Sequence, residues 1–239
     1  MRRVTATLTC EVCGFDAARW SAEDLERTLA HSDDLIGHVV NGASDGVGSA
    51  RLTDVSLDDR VGATHSLMHH LDHVATSRRG AEEFATMVGT VASVQASGGG
   101  VPKLPVAEVV VDTGGVLGDR QGNRHHHGRP WQAVCLYSAD LLSALADEGH
   151  PIVAGGAGEN VTISGVDWAR MRGGLTIAIG DLRLRTSSPA APCHKIGGCF
   201  ADGDWMRMDH AQRPGWSRWY ASVLEGGTIR PGDRVTIAA

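Results

Sequence analysis

At 239 residues, with 42% hydrophobic and 21% charged residues, the chain is long enough for one large or two modest domains. Its composition is far from that of a disordered segment. The formal net charge of −6 gives no general pull toward nucleic acid or an anionic membrane, so any anion site has to be a local basic pocket. No run of about 20 apolar residues follows Met1-Arg2-Arg3 or occurs elsewhere, which predicts a cytoplasmic protein without membrane contact. The 5 cysteines (10, 13, 135, 193 and 199) are an odd number in a chain of this size, so metal or thiol chemistry is expected of them rather than a disulfide framework.

In chain order, Ser21-Ala22-Glu23-Asp24 reads as a helix N-cap with acids in the first turn. Leu25, Leu29, Ile36 and Val40 follow at helical spacing, which predicts a helix over about 21–40. A second helical stretch carries Val61, His65, Met68, His69, Asp72 and His73 and ends near Arg78. Breaks at Ser77–Gly80 and Ser97–Gly100 bracket a domain start, so residues 1–84 are read as a helical segment and 85–239 as a second domain. From there the pattern is short and extended: Thr90–Ala96, Glu108–Asp112, Val134–Tyr137, Asn160–Ser164, Leu175–Ile179, Leu182–Thr186 and Val235–Ile237 alternate with Gly, Pro or Asp turns. Ile179-Gly180-Asp181-Leu182 predicts a tight hairpin, and Ser138–Glu148, with Leu141, Leu142 and Leu145, an inserted helix. The expected fold is a β-barrel or sandwich preceded by a small helical segment.

Three segments of this second domain concentrate polar chemistry. Gly118-Asp119-Arg120 leads into Asn123-Arg124-His125-His126-His127-Gly128-Arg129, a turn-prone stretch that puts cations and imidazoles on a loop. Gly155-Gly156-Ala157-Gly158-Glu159-Asn160 fits neither a Walker nor a dinucleotide pattern, but its glycines would let backbone N–H groups approach an anion. Pro192-Cys193-His194-Lys195 and the following Cys199 set thiols beside cations, which favour the thiolate. Taken singly, each has a plainer reading: a solvated turn, a barrel corner or an inert thiol. Cys135, inside Val134-Cys135-Leu136, is read as an inert buried thiol.

The collinear set Gly98-Gly99-Gly100-Val101-Pro102-Lys103, Gly118-Asp119-Arg120, His126-His127-Gly128, Val134–Ser138, Gly158-Glu159-Asn160-Val161-Thr162, Pro192-Cys193 and Pro214-Gly215-Trp216-Ser217-Arg218 resembles the MOSC family, named for the C-terminal domain of molybdenum cofactor sulfurases. The resemblance implies an α+β chain: a mostly β MOSC-type barrel preceded by the helical segment. It also implies molybdenum cofactor, with Cys193 as molybdenum ligand or as carrier of persulfide sulfur. A pterin cofactor bears a phosphate and a dithiolene, so its site needs cations, backbone donors and a thiolate. Lys103, Arg120, His126, His127, Asn160 and Lys195 can supply the polar part, beside Asp119, Gly158 and Glu159 of the shared motifs. Arg129 departs from the family by adding a charge where the loop is usually small. Cys199 is not a family hallmark, yet can resolve a persulfide beside Cys193 and Lys195.

Among relatives, the chain looks most like bacterial enzymes that reduce N-hydroxylated bases, which implies an enzyme with a small-molecule substrate. Because the sequence ends at Ala239, an electron-donor protein is expected as partner; the alternatives are a sulfurtransferase served by a sulfur-donor protein and a non-catalytic cofactor-binding module. A homodimer is compatible with each. The first 84 residues resemble parts of a DinB-like bundle, and Cys10-Glu11-Val12-Cys13 with His65, His69 and His73 at four-residue spacing gives a candidate zinc site. The plainer reading is a helical hairpin packed on the barrel or on a second subunit.

Overall fold

The computed structural model describes residues 6–10, 15–16, 49–52, 85–120 and 130–239. The helices expected over 21–40 and near 61–78 lie outside these residues. What is described of the first 84 residues is a small antiparallel sheet of β1 (Ala6–Cys10), β2 (Phe15–Asp16) and β3 (Ser49–Leu52), in the order β2-β1-β3. The sequence reading did not foresee it, having read these 84 residues by helical spacing and turn residues alone.

From residue 85 onward the strands are β4 (Met87–Ala96), then β5 (Leu104–Val106), β6 (Val109–Asp112), β7 (Gly115–Val116) and β8 (Val134–Ser138). Helix α1 (Ala139–Asp147) follows, then β9 (Val161–Ser164), β10 (Thr176–Ile179), β11 (Leu182–Pro189), β12 (Trp219–Glu225), β13 (Gly227–Ile229) and β14 (Arg234–Ala238). The main sheet runs β14-β10-β11-β12-β8-β9-β4-β5, and β14 also pairs with β4. That pairing closes a ring of seven strands with β5 hanging from β4 outside it, so the barrel has no open edge of its own. A side sheet of β13, β6 and β7 adjoins it.

Strand β8 pairs parallel to β9, while the other pairings of the ring are antiparallel. A parallel pair needs a crossover rather than a hairpin, and α1 supplies it. Ser138 caps the helix by accepting from the Leu141 backbone N–H at 3.2 Å, Asp140 sits in the first turn, and Leu142 and Leu145 are buried. The expected hairpin is present, with Ile179 opposite Leu182 and Gly180 at φ +56°, the glycine-first pattern of a type II′ connection.

Strand β12, which the sequence reading missed, lies between β8 and β11. Its first five residues are all buried, so no polar alternation marks it. Val134, Leu136, Ile163, Ile177, Leu184 and Ile237 are at most 0% exposed and belong to the main core. Cys135 and Tyr220 instead form a separate small cluster with Ala190. The outer face of β8 and β12 is therefore covered as well, and the cover is where the pocket forms. Among the described residues no helix is long and apolar enough to cross a membrane.

Leu184→Ala removes a fully buried barrel side chain and is expected to cost about 2–5 kcal/mol. Val88→Ala, at a position 47% exposed, is expected to stay within about 0.5 kcal/mol. Urea midpoints of the two variants check the contrast.

Candidate functional site

The outward positions of β8 and β12 form the floor of the site. Cys135 stands opposite Tyr220 across the two strands, and three loops converge over them: residues 97–103, 153–160 and 190–196. They enclose a half-open pocket to which all three loops and both floor strands contribute lining residues.

Gly155 joins two of these loops. Its carbonyl accepts from the Lys103 N–H at 2.9 Å and its N–H donates to Glu159 Oε1 at 2.7 Å. Its φ is +82°, and a Cβ would lie 2.1 Å from the Lys103 carbonyl oxygen, so only glycine fits. The N–H groups of Gly156 and Gly158 are bonded to the Val153 and Gly155 carbonyls. The expectation that this loop cradles an anion with its glycine N–H groups is thereby corrected: those of 155, 156 and 158 are spent inside the protein, and the glycines serve close approach. Gly158 still lines the pocket.

The expected polar residues largely converge. Lys103, Arg120, Asn160 and Lys195 line the pocket together with Cys193. Asp119 works from behind: it ion-pairs with Lys103 Nζ, accepts from Asn160 Nδ2 at 3.0 Å and accepts from the Ser97 N–H at 2.9 Å. Asn160 Oδ1 in turn accepts from the Cys135 N–H at 3.1 Å. One network thus joins the Gly-Asp-Arg and Gly-Glu-Asn segments to the floor strand. Glu159 is fully buried and absent from the wall; its Oε1 accepts from Gly155 and from the Thr162 hydroxyl at 3.4 Å. Burial pushes the Glu159 carboxyl above its ordinary value, against the pull of its hydrogen bonds and of Arg218.

The residue that sequence reasoning missed is Arg218. It is 7% exposed, lines the pocket, and donates from Nη1 to the Ala157 carbonyl and from Nη2 to the Ala191 carbonyl at 3.4 Å. It therefore pins the glycine loop to the loop leading to Cys193. Its Nε is buried with no hydrogen-bond partner among the described residues. A cation on the threshold of the apolar run Trp219–Val223 was the available signal. Four cations, Lys103, Arg120, Lys195 and Arg218, thus share the wall, with Asp119 set against Lys103. The pocket is net positive and suited to an anion.

The cysteines separate. Cys193 is half-buried, extended at φ −142°, and precedes a 3-10 turn over His194–Cys199 without a side-chain capping bond. His194 turns away from the wall, its ring meeting Trp205 edge-on at 6.4 Å. Cys199 is likewise not on the wall. Its sulfur lies 3.2 Å from where a Gly156 Cβ would stand, and burial pushes its thiol pKa up. The structure therefore does not bring Cys199 into the site with Cys193 and Lys195. Cys135 is buried with a raised thiol pKa, as an inert thiol would be, yet it lines the pocket. His126, His127, Cys13, His65, His69 and His73 fall outside the described residues, as does the side chain of Cys10. Among the described residues no group of three or more His, Cys, Asp or Glu is arranged to hold a metal.

A carboxyl with a raised folded pKa lends stability below its unfolded value, here about 4.5, and that stability is lost as pH rises through the folded value. Glu159→Gln keeps the Oε1 acceptor and removes the titration. Thermal melts between pH 4.5 and 8 are expected to fall less steeply with pH in the variant than in the wild type.

Residues 123–236 match the family model described as the MOSC domain. Two curated relatives are an uncharacterized protein, YflK, of Bacillus subtilis, 27% identical over 121 residues, and protein YiiM of Escherichia coli, 26% identical over 126 residues. These alignments take in 50% and 51% of this chain and 54% and 55% of the relatives, so the chain spans about half the length of each. The crystal structure of the YuaD protein from Bacillus subtilis superposes on the barrel with a TM-score of 0.51 at 16% identity, covering 65% of this chain and 98% of that one.

Proposed function

The barrel of this chain is a MOSC domain, and on that premise we propose that its pocket binds molybdenum cofactor through Cys193 and serves the reduction of N-hydroxylated small molecules, with electrons from a separate protein. The observation that carries the proposal is the pairing of a half-buried thiol, Cys193, with a buried guanidinium, Arg218, on one net-positive wall. The donor set fits the group. An anionic phosphate needs charge-assisted donors, and Arg218, Arg120 and Lys195 offer them. A soft metal needs sulfur, and Cys193 offers one thiolate.

When bound, the cofactor supplies the two-electron chemistry that N–O cleavage requires. The chain's own residues bind and orient. Arg218 holds the Cys193 loop against the glycine loop, and the Lys103–Asp119–Asn160 network fixes the opposite wall. Tyr220, kept protonated by burial, presents a phenol on the floor, and Lys195 adds a cation to the wall beside Cys193. Cys199, set off the wall, does not support the sulfur-carrier reading that its position in the sequence invited.

Elemental mass spectrometry of protein from a cofactor-producing host tests the proposal. Near-stoichiometric molybdenum is expected in the wild type and none in Cys193→Ala. In Arg218→Gln, retention on dilution is expected to weaken on the order of 10- to 100-fold, as for the loss of a charged hydrogen bond, with recovery in Arg218→Lys. Wild-type protein without molybdenum would overturn the reading in favour of sulfur transfer, which cyanide-labile sulfur on Cys193 would report. Zinc that persists in all variants would support the proposed site among Cys10, Cys13, His65, His69 and His73.

A further inference from the structure

The function proposed above makes no use of Cys135. A buried cysteine in a strand is ordinarily a packing residue, but the place of this one is particular. It lies apart from the main core, in a cluster with Ala190 and Tyr220, and it lines the same pocket as Cys193. The chain that ends in Cys193 is laid over this region: the Ala190 N–H donates to the Arg218 carbonyl at 2.8 Å, and Ala191 accepts from the Arg218 side chain. Tyr220, on β12 opposite Cys135, also lines the pocket, as does Arg218 just before that strand. Cys135, Cys193 and Cys199 are all free thiols, but Cys199 lies against Gly156 and off the wall.

We propose that Cys135 is the resolving partner of Cys193, so that mild oxidation of the pocket ends in a Cys135–Cys193 disulfide. The oxidant is a hydroperoxide. The Cys193 thiolate attacks one peroxide oxygen and the O–O bond breaks, which leaves a sulfenic acid on Cys193 and, from hydrogen peroxide, hydroxide. The Cys135 sulfur then attacks the sulfenic sulfur; the S–S bond forms, the S–O bond breaks, and the hydroxyl group leaves as water after taking up a proton. In sum, two thiols and one hydrogen peroxide give one disulfide and two waters. Closure withdraws Cys193 from any ligand and spares it the irreversible sulfinic acid, and a dithiol reductant restores both thiols. A disulfide needs Cα atoms within about 7 Å, a demand the extended loop residue Cys193 can meet more readily than the strand residue Cys135. The inference concerns the pocket's thiols alone and stands whatever the pocket binds.

The test uses the full chain from a host that does not make the cofactor. It is treated with graded hydrogen peroxide, alkylated under denaturing conditions and mapped by peptide mass spectrometry. The expected product is a Cys135–Cys193 linked peptide that dithiothreitol reverses, with Cys199 still alkylated. In Cys135→Ser, Cys193 is expected instead to trap dimedone as sulfenic acid and then pass to sulfinic acid; in Cys199→Ser the link is expected to form as in the wild type. A Cys193–Cys199 link, or sulfinic acid on wild-type Cys193 with Cys135 still alkylated, overturns the inference, and neither result depends on the folding of a variant. Repeating the oxidation on chain from a cofactor-producing host separates the two proposals. Bound molybdenum that blocks the link supports the function proposed above, whereas unblocked linking counts against that function and leaves the redox pair standing.

Discussion

Arg218 carries a full positive charge into a place that water scarcely reaches, and the neighbouring loops are arranged around that charge. Its guanidinium bonds the Ala157 and Ala191 carbonyls, so the glycine loop and the cysteine loop are held by the same side chain. An uncompensated buried cation is costly by several kcal/mol, and here the nearby acid does not cancel it, since Glu159 is itself pushed toward its neutral form. The charge is kept because the surrounding backbone dipoles share it and because a ligand of opposite charge can complete it. The pocket is thus electrostatically primed before anything enters, and Arg218 contributes both to its sign and to the joining of two of its loops.

The barrel supports this arrangement through its topology. The parallel pairing of β8 with β9 brings Cys135 beside Asn160, 25 residues away in sequence, and Asn160 then reaches Asp119 and Lys103 on the opposite side of the pocket. Gly155 permits the final approach, with its φ of +82° and its carbonyl on Lys103. Every partner in this network is a buried or half-buried polar group, so the satisfaction of each depends on the others, and the site should behave as a unit rather than as a sum of contacts.

Much of this was legible in the sequence, and the reasons are physical. Strands β4, β6, β8, β9, β10, β11 and β14 and the helix between β8 and β9 sit within a few residues of where alternation and turn residues placed them. Lys103, Arg120, Asn160, Lys195 and Cys193 do converge. Strand β12 escaped because a strand covered on both faces has no polar alternation to read. Arg218 escaped for a related reason: its place on the threshold of that strand was a signal only once the strand itself had been recognised. The glycine loop misled in the other direction: the composition of an anion cradle and that of a tight loop-to-loop contact are the same, and only the hydrogen-bond partners tell them apart. Cys135 was rightly expected to be buried, but the sequence gives no means of knowing that the far side of its strand would be roofed by the Cys193 loop.

The closed ring has a further property. The pocket draws its wall from β8, β12 and the loops at the ends of β4, β9 and β11, whereas β10 and β14 contribute no lining residue. One arc of the barrel carries the ligand and the opposite arc only completes the enclosure. Mutational drift, stabilising redesign or a fused tag can then be absorbed at the Gly180–Asp181 connection and along β14 without entering the electrostatic field of Arg218. Adaptation of the protein to a new temperature and adaptation to a new ligand would therefore draw on separate sets of residues.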